Sequence, residues 1–177
     1  RALGHDAWSC DIQECSADPE FHIQGDVFDV IHRGWDLMIG HPTCRYLCNS
    51  GVKHLHTDAG RWLELFDAAD FFLKLWTAPI RMIALENPIP HKYAVRLIGE
   101  KYTQLIQPYQ FGHAESKATC LWLKGLPRLC PTNDVKALYD TLPKAEAQRI
   151  HYMSPGPART KERSKTFSGI AEAMATQ

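Results

Sequence analysis

The chain has 177 residues, 20 acidic and 20 basic side chains, a formal net charge of zero and 45% hydrophobic residues. That length buries a substantial core in one domain without covalent staples, and the balanced charge excludes a globally basic nucleic-acid binder, so any such affinity has to come from local patches. The longest apolar run, Ala68 to Trp76, is interrupted by Asp70 and Lys74, too short and too charged to cross a membrane. The six cysteines (10, 15, 44, 48, 120 and 130), with no leader-like segment ahead of them, point to reduced thiols and a cytoplasmic setting.

In chain order, residues 6 to 10 and 35 to 40 read as strands. From Thr57 or Asp58 to Ala78 the sequence predicts one long amphipathic helix, because Trp62, Leu65, Phe66, Ala69, Phe72, Leu73 and Trp76 recur at helical spacing until Pro79 stops them. Trp62, Phe72 and Trp76 belong to the core on this reading. A strand over 81 to 85 follows, then a helix from about His91 to Tyr102, then an extended pair at 104 to 110 and 119 to 123. After Pro127 the chain is rich in loops, with a short helix over 135 to 142, a Pro/Gly hinge at 154 to 157 and a closing helix over 168 to 174. Strands separated by helices imply a single α/β domain with a mostly parallel sheet covered on both faces, the carboxyl-side pair forming an antiparallel edge.

Two strand ends carry the chemistry. The run Trp35 to Ile39 breaks at Gly40-His41-Pro42 and presents Cys44 on a loop, and the next strand, Arg81 to Leu85, ends in Glu86-Asn87-Pro88. A loop at the carboxyl end of a strand is where α/β enzymes keep reactive groups, so a thiol nucleophile and an acid come near each other. The alternatives are plain: a small buried cysteine, a Glu-Asn pair capping a loop, Asp26 capping a turn, Asp11 at a solvated strand end. The alternating charges Arg159, Lys161, Glu162, Arg163 and Lys165 read as a solvated face. A zinc site is a further alternative, from Cys44-x3-Cys48 and His54-x-His56, although both spacings depart from the common ones.

Gly40-His41-Pro42-Thr43-Cys44-Arg45-Tyr46-Leu47-Cys48-Asn49-Ser50-Gly51, followed one βα unit later by Glu86-Asn87, resembles the DNA (cytosine-5) methyltransferases, whose motifs read Gly-Gly-Pro-Pro-Cys-Gln-x-Phe-Ser-x-x-Gly and Glu-Asn-Val. The chain keeps the first Gly, one Pro, the Cys and the final Gly; Thr43 replaces a Pro, Arg45 the Gln, and Cys48 stands where the family has Ser. Gly25-Asp26-Val27 resembles the motif that reads the adenine of S-adenosylmethionine, and Asp11 takes the place of the acid that grips its ribose. Phe111 to Lys117 is similar to the family's basic motif, and Thr166 to Ala171 to its closing motif.

The resemblance implies a Rossmann-like, three-layer αβα methyltransferase core that binds S-adenosylmethionine and DNA as a monomer, in a compact, phage-like form. In place of a target-recognition domain it has the loop-rich segment 127 to 165. The implied catalytic residues are Cys44, Glu86 and Asn87. Asp11, Asp26, Val27 and Pro42 would face the cofactor, Arg45, Ser50, Lys53 and Lys117 would hold phosphates, and no residue is expected to bind metal. The family's opening strand and Phe-x-Gly-x-Gly loop are not found, so the sequence predicts a core lacking its first βα unit, weak in cofactor binding, with two sheet edges left facing each other between strands 6 to 10 and 35 to 40. A catalytically inactive remnant of such an enzyme, or a related protein that modifies a pyrimidine in DNA, is the alternative reading.

Overall fold

A computed structural model describes residues 1–15 and 18–177. Strands β1 (Ser9–Asp11) and β2 (His22–Gln24) form a separate parallel pair. The main sheet holds β3 (Leu37–Gly40), β4 (Met82–Pro88), β5 (Gln104–Ile106) and β6 (Thr119–Lys124) in the order β3-β4-β6-β5. Its centre is β4, parallel to β3 and antiparallel to β6. The run Met82-Ile83-Ala84-Leu85 is apolar without alternation because both faces of this strand are covered.

Helix α1 (Gly60–Trp76) buries Leu65, Ala68, Ala69, Phe72 and Leu75, a stripe at three- and four-residue spacing. It starts where Asp58 accepts the Gly60 N–H at 2.9 Å, and it ends at Thr77, whose N–H and hydroxyl both donate to the Leu73 carbonyl. Its outer side carries the Asp70–Lys74 pair. Helix α2 (Lys92–Ile98) packs beside α1 and stops at Gly99, whose φ of 76° is the left-handed conformation that glycine adopts without cost.

Alternation along β6 builds a core on each face. Cys120 and Trp122 pack with α1 and α2, where the Trp122 and Phe72 rings stand edge to face with centroids 5.0 Å apart. Leu121 and Leu123 pack on the other face with Ile106, Phe111, Leu129 and helix α7 (Ser168–Thr176), through Ile170 and Ala173. Helices therefore lie on both faces of the sheet, in three layers.

The structure corrects several expectations. The main sheet is mixed, not mostly parallel, because β6 returns antiparallel directly beside β4 and only β5 is the edge on that side. Strand 6 to 10 starts later, at Ser9, and the helix from His91 is cut at Gly99. The Pro/Gly hinge starts a helix, α6 (Pro157–Ser164), since a proline in the first turn has no N–H to leave unpaired. Three more short helices, α3 (Lys136–Thr141), α4 (Lys144–Ala147) and α5 (Arg149–Tyr152), fill the segment before it, and residues 49 to 56 form 3-10 turns. Among the described residues no strand joins β2 to β3, so β3 is paired on one side only.

Candidate active site

Strand β3 delivers the thiol. It ends at Gly40, where a Cβ would lie 2.7 Å from the Leu85 Cδ2, so a larger residue would have to turn that side chain aside. Beyond the buried Pro42, the chain folds into a turn in which the N–H groups of Leu47 and Cys48 donate to the Cys44 carbonyl at 3.3 and 3.1 Å. Residues Leu47 to Asn49 then run alongside Ile89 to His91, through His91 N–H to Leu47 C=O (2.9 Å) and Asn49 N–H to Ile89 C=O (3.1 Å).

Two buried polar side chains clamp this loop. Asn87, 2% exposed at the end of β4, donates through Nδ2 to the Pro42 carbonyl at 2.9 Å. His91, also 2% exposed, accepts the Ala94 N–H at Nδ1 (3.1 Å), which leaves its proton on Nε2 to donate to the Tyr46 carbonyl at 2.9 Å. Buried donors and acceptors lost from such sites each cost about 1–3 kcal/mol, so the clamps fix the loop as well as satisfy it. Asn87 Nδ2 thus positions the thiol loop, while its buried Oδ1 has no hydrogen-bond partner among the described residues.

Glu86, its immediate neighbour, points to the opposite face of β4. Its side chain is 12% exposed; the carboxylate lies 3.3 Å from His41 Nδ1, and the Thr166 hydroxyl donates to it at 3.4 Å. Burial pushes its ionisation up, but the hydrogen bond and charge of His41, the Lys117 ammonium and the Thr166 hydroxyl outweigh this and hold it below the usual carboxylate range. Lys117 is half-buried, which lowers its pKa, and the charges of Glu86 and Cys44 partly counter that, placing the three groups in one cluster. Its Nζ donates to the Lys165 carbonyl at 2.7 Å, while His113 accepts the Gly169 N–H at 3.2 Å, so the segment from Lys165 to Gly169 is laid against the site.

Cys44 and Cys48 sit one turn apart and perturb each other's ionisation. The neighbouring Cys44 thiol and the Ser50 hydroxyl, 3.0 Å from the Cys48 sulfur, outweigh burial and lower the Cys48 ionisation to about 5. The same neighbour, with burial, pushes Cys44 up, and the Arg163 charge favours a thiolate at either sulfur. The pair therefore gives up its first proton easily and holds the second, as one titrating unit. Cys48 is 4% exposed, and Cys44 is the more open of the two, so Cys44 is the sulfur an incoming ligand meets.

The other expected site residues are placed differently. Asp11 and Asp26 come together at one end of the β1–β2 pair, where burial and then both carboxylates raise the Cys10 pKa. One oxygen of each closes a local turn, Asp11 with the Gln13 N–H and Asp26 with the Phe28 N–H, both at 2.9 Å; the turn-capping alternative describes those contacts. Val27 packs against the main core instead of facing solvent. Arg45 and Lys53 are exposed, the Arg45 guanidinium 5.5 Å from the Tyr46 ring centre, whereas Ser50 serves the thiol pair and Lys117 serves Glu86. For the zinc alternative, His56 stacks near Tyr93, and among the described residues no group of three or more His, Cys, Asp or Glu converges on a metal position.

Sequence reasoning gave no role in the site to His41 or His91, read Arg163 as part of a solvated face, and met Thr166 only as the first residue of the closing motif. His41 was within reach of it: it adjoins Pro42 in the thiol loop, where the resembled family has glycine.

Glu86 has a consequence for stability. Its folded pKa is depressed, so its contribution is present above its ordinary value of about 4.3 and is lost as pH falls through the folded value. Wild-type protein is expected to lose stability on acidification below that point more steeply than Glu86→Gln, as followed by thermal melts at stepped pH; parallel curves would contradict the pairing. Comparison with protein-family models finds no match to this chain, and neither does comparison with curated proteins.

Proposed function

We propose that this site methylates C5 of cytosine in DNA by transient addition of the Cys44 sulfur to C6. The observation that carries the reading is the opposition, at the ends of neighbouring parallel strands, of an easily ionised thiol pair and a carboxylate held by His41. C5 of cytosine is a poor nucleophile until a thiolate adds at C6 and makes the ring an enamine.

In that step Cys44 passes its proton to the Cys48 sulfur and attacks C6. Charge moves onto N3, where a proton is needed in the transition state. Because Glu86 is ionised in the free site, the proton reaches it from His41 Nδ1; its other oxygen accepts from the 4-amino group, which thymine lacks. Sequence alone made Glu86 the acid by itself, and the His41 contact makes it one half of a pair. Asn87 and His91 hold the loop so that the sulfur is aimed before the base arrives.

Asp11 and Asp26 each keep an oxygen beyond the one in the local turn, which suits the hydroxyl and amino donors of S-adenosylmethionine; when bound there, that cofactor supplies an electrophilic methyl group. The target base is hidden in a duplex and has to be turned out of it, with Arg45 and Lys53 as phosphate holders. The mixed sheet with helices on both faces supports a Rossmann-like αβα methyltransferase core; on this reading the β1–β2 pair, separate here, would join the main sheet through a further parallel strand at the free edge of β3.

The test is methyl transfer from labelled S-adenosylmethionine to random-sequence duplex DNA, followed by digestion to nucleosides. The label is expected in 5-methylcytosine. Label on the exocyclic nitrogen, or none in DNA, would overturn the reading.

A further inference from the structure

The turn that shapes the nucleophile loop places two thiols one turn apart, with the Cys48 N–H donating to the Cys44 carbonyl at 3.1 Å, close enough that each perturbs the other's ionisation. We propose that Cys44 and Cys48 are a reversible oxidation site, closed to a disulfide by hydrogen peroxide or an organic hydroperoxide. A disulfide requires Cα atoms about 4.4–6.8 Å apart and sulfurs brought to about 2.05 Å. The Cys48 N–H to Cys44 carbonyl bond at 3.1 Å closes one turn of chain and so holds the two backbones near each other, and side-chain rotation with a small movement of the turn closes the bond.

The two cysteines have unequal freedom. Cys48 is fixed between the hydrogen bonds of Leu47 and Asn49 to the 89–91 segment, and it is buried. Cys44 is partly exposed, and the proton is easily lost from the pair, as peroxide chemistry requires. Cys44 passes its proton to the ionised Cys48 sulfur and attacks the peroxide O–O bond, forming a sulfenic acid; the leaving oxygen takes that proton from Cys48 and departs as water. The Cys48 sulfur then attacks the Cys44 sulfur and displaces its hydroxyl as a second water. Two thiols and one peroxide thereby give one disulfide and two waters. Arg163, whose charge acts on both sulfurs, favours the thiolate in each step. The other thiols lack this arrangement; burial pushes Cys120 up to about 12.

The modification stands on the thiol geometry alone. Its consequence, that the oxidised protein cannot add to a base, rests on the function proposed above. A peptide map separates the two, since it uses no DNA. The whole chain is treated with hydrogen peroxide, blocked with an alkylating reagent and cut after Lys and Arg, so that Cys44 lies on peptide 34–45 and Cys48 on peptide 46–53.

The expected product is those two peptides joined, with two of the six thiols protected from alkylation and both returned by dithiothreitol. In Cys48→Ser, Cys44 is expected to pass to sulfinic acid that dithiothreitol does not restore. Peptide 34–45 joined to a peptide bearing Cys10, Cys15 or Cys130, or both thiols still open to alkylation after peroxide, would overturn the proposal. The wild-type map decides this even if the variant fails to fold.

Discussion

Cys44→Ser is expected to abolish covalent attachment of the protein to duplex DNA in which pyrimidin-2-one replaces cytosine, and Glu86→Gln to slow it by about 10²–10⁴-fold. That base lacks the 4-amino group, so its C6 is more open to attack; a sulfur–carbon bond at C6 and a proton at N3 complete the addition without any methyl donor. The probe therefore isolates the thiol and the carboxylate from cofactor binding. A serine hydroxyl has no comparable acidity and cannot exchange a proton with Cys48, which is why the loss is complete. For Glu86→Gln the loss is partial, because the amide leaves the strand end intact but cannot relay a proton from His41, 3.3 Å away. Rates measured at several pH values check the assignment: equal rates for wild type and Glu86→Gln would remove Glu86 from the chemistry.

Gly169→Ala is expected to release helix α7 from the sheet. A Cβ at this position would run into the backbone carbonyl of Phe111, and no flexible side chain is there to give way. The obstruction is at the start of the helix, where the Gly169 N–H donates to His113 and Phe167 packs on the same imidazole with ring centres 5.0 Å apart. Displacement would uncover Leu121, Ile106 and Phe111 and take Thr166 away from Glu86. Loss of several buried side chains of this kind costs about 2–5 kcal/mol for each that is left against a void. The melting temperature is expected to fall by many degrees and the second-face residues to lose hydrogen-exchange protection. An unchanged melting curve would show that the Phe111–Gly169 approach is not what docks the helix.

The fold was legible where side-chain periodicity is strong. The α1 stripe from Leu65 to Leu75 and the apolar run of β4 each announce one structure, because burial on one helical face or on both faces of a strand leaves a distinct pattern. The mixed order of the sheet was less legible. It depends on β6 lying beside β4, a pairing across more than thirty residues of sequence that no local pattern encodes. The hinge at Pro155-Gly156-Pro157 shows a second limit, since the same proline that ends one helix starts another.

In the candidate site, Cys44 and Glu86 could be read because strand ends and turn residues mark them. The clamps could not. Asn87 was grouped with Glu86 by adjacency, yet strand alternation sends the two side chains to opposite faces and gives them different work. Lys117 reads from the sequence as a phosphate holder, and only the fold shows it half-buried and bonded to the Lys165 carbonyl. Its partners are distant in sequence and become neighbours only when α7 docks.

The most direct test of the account is to find which atom becomes attached to the base. After the protein reacts with the pyrimidin-2-one duplex and is digested by nuclease and protease, mass spectrometry is predicted to place the nucleotide remnant on peptide 34–45 at Cys44, with Cys48→Ser still labelled there. A remnant on Cys48 in peptide 46–53, or a yield unchanged in Cys44→Ser, would contradict it.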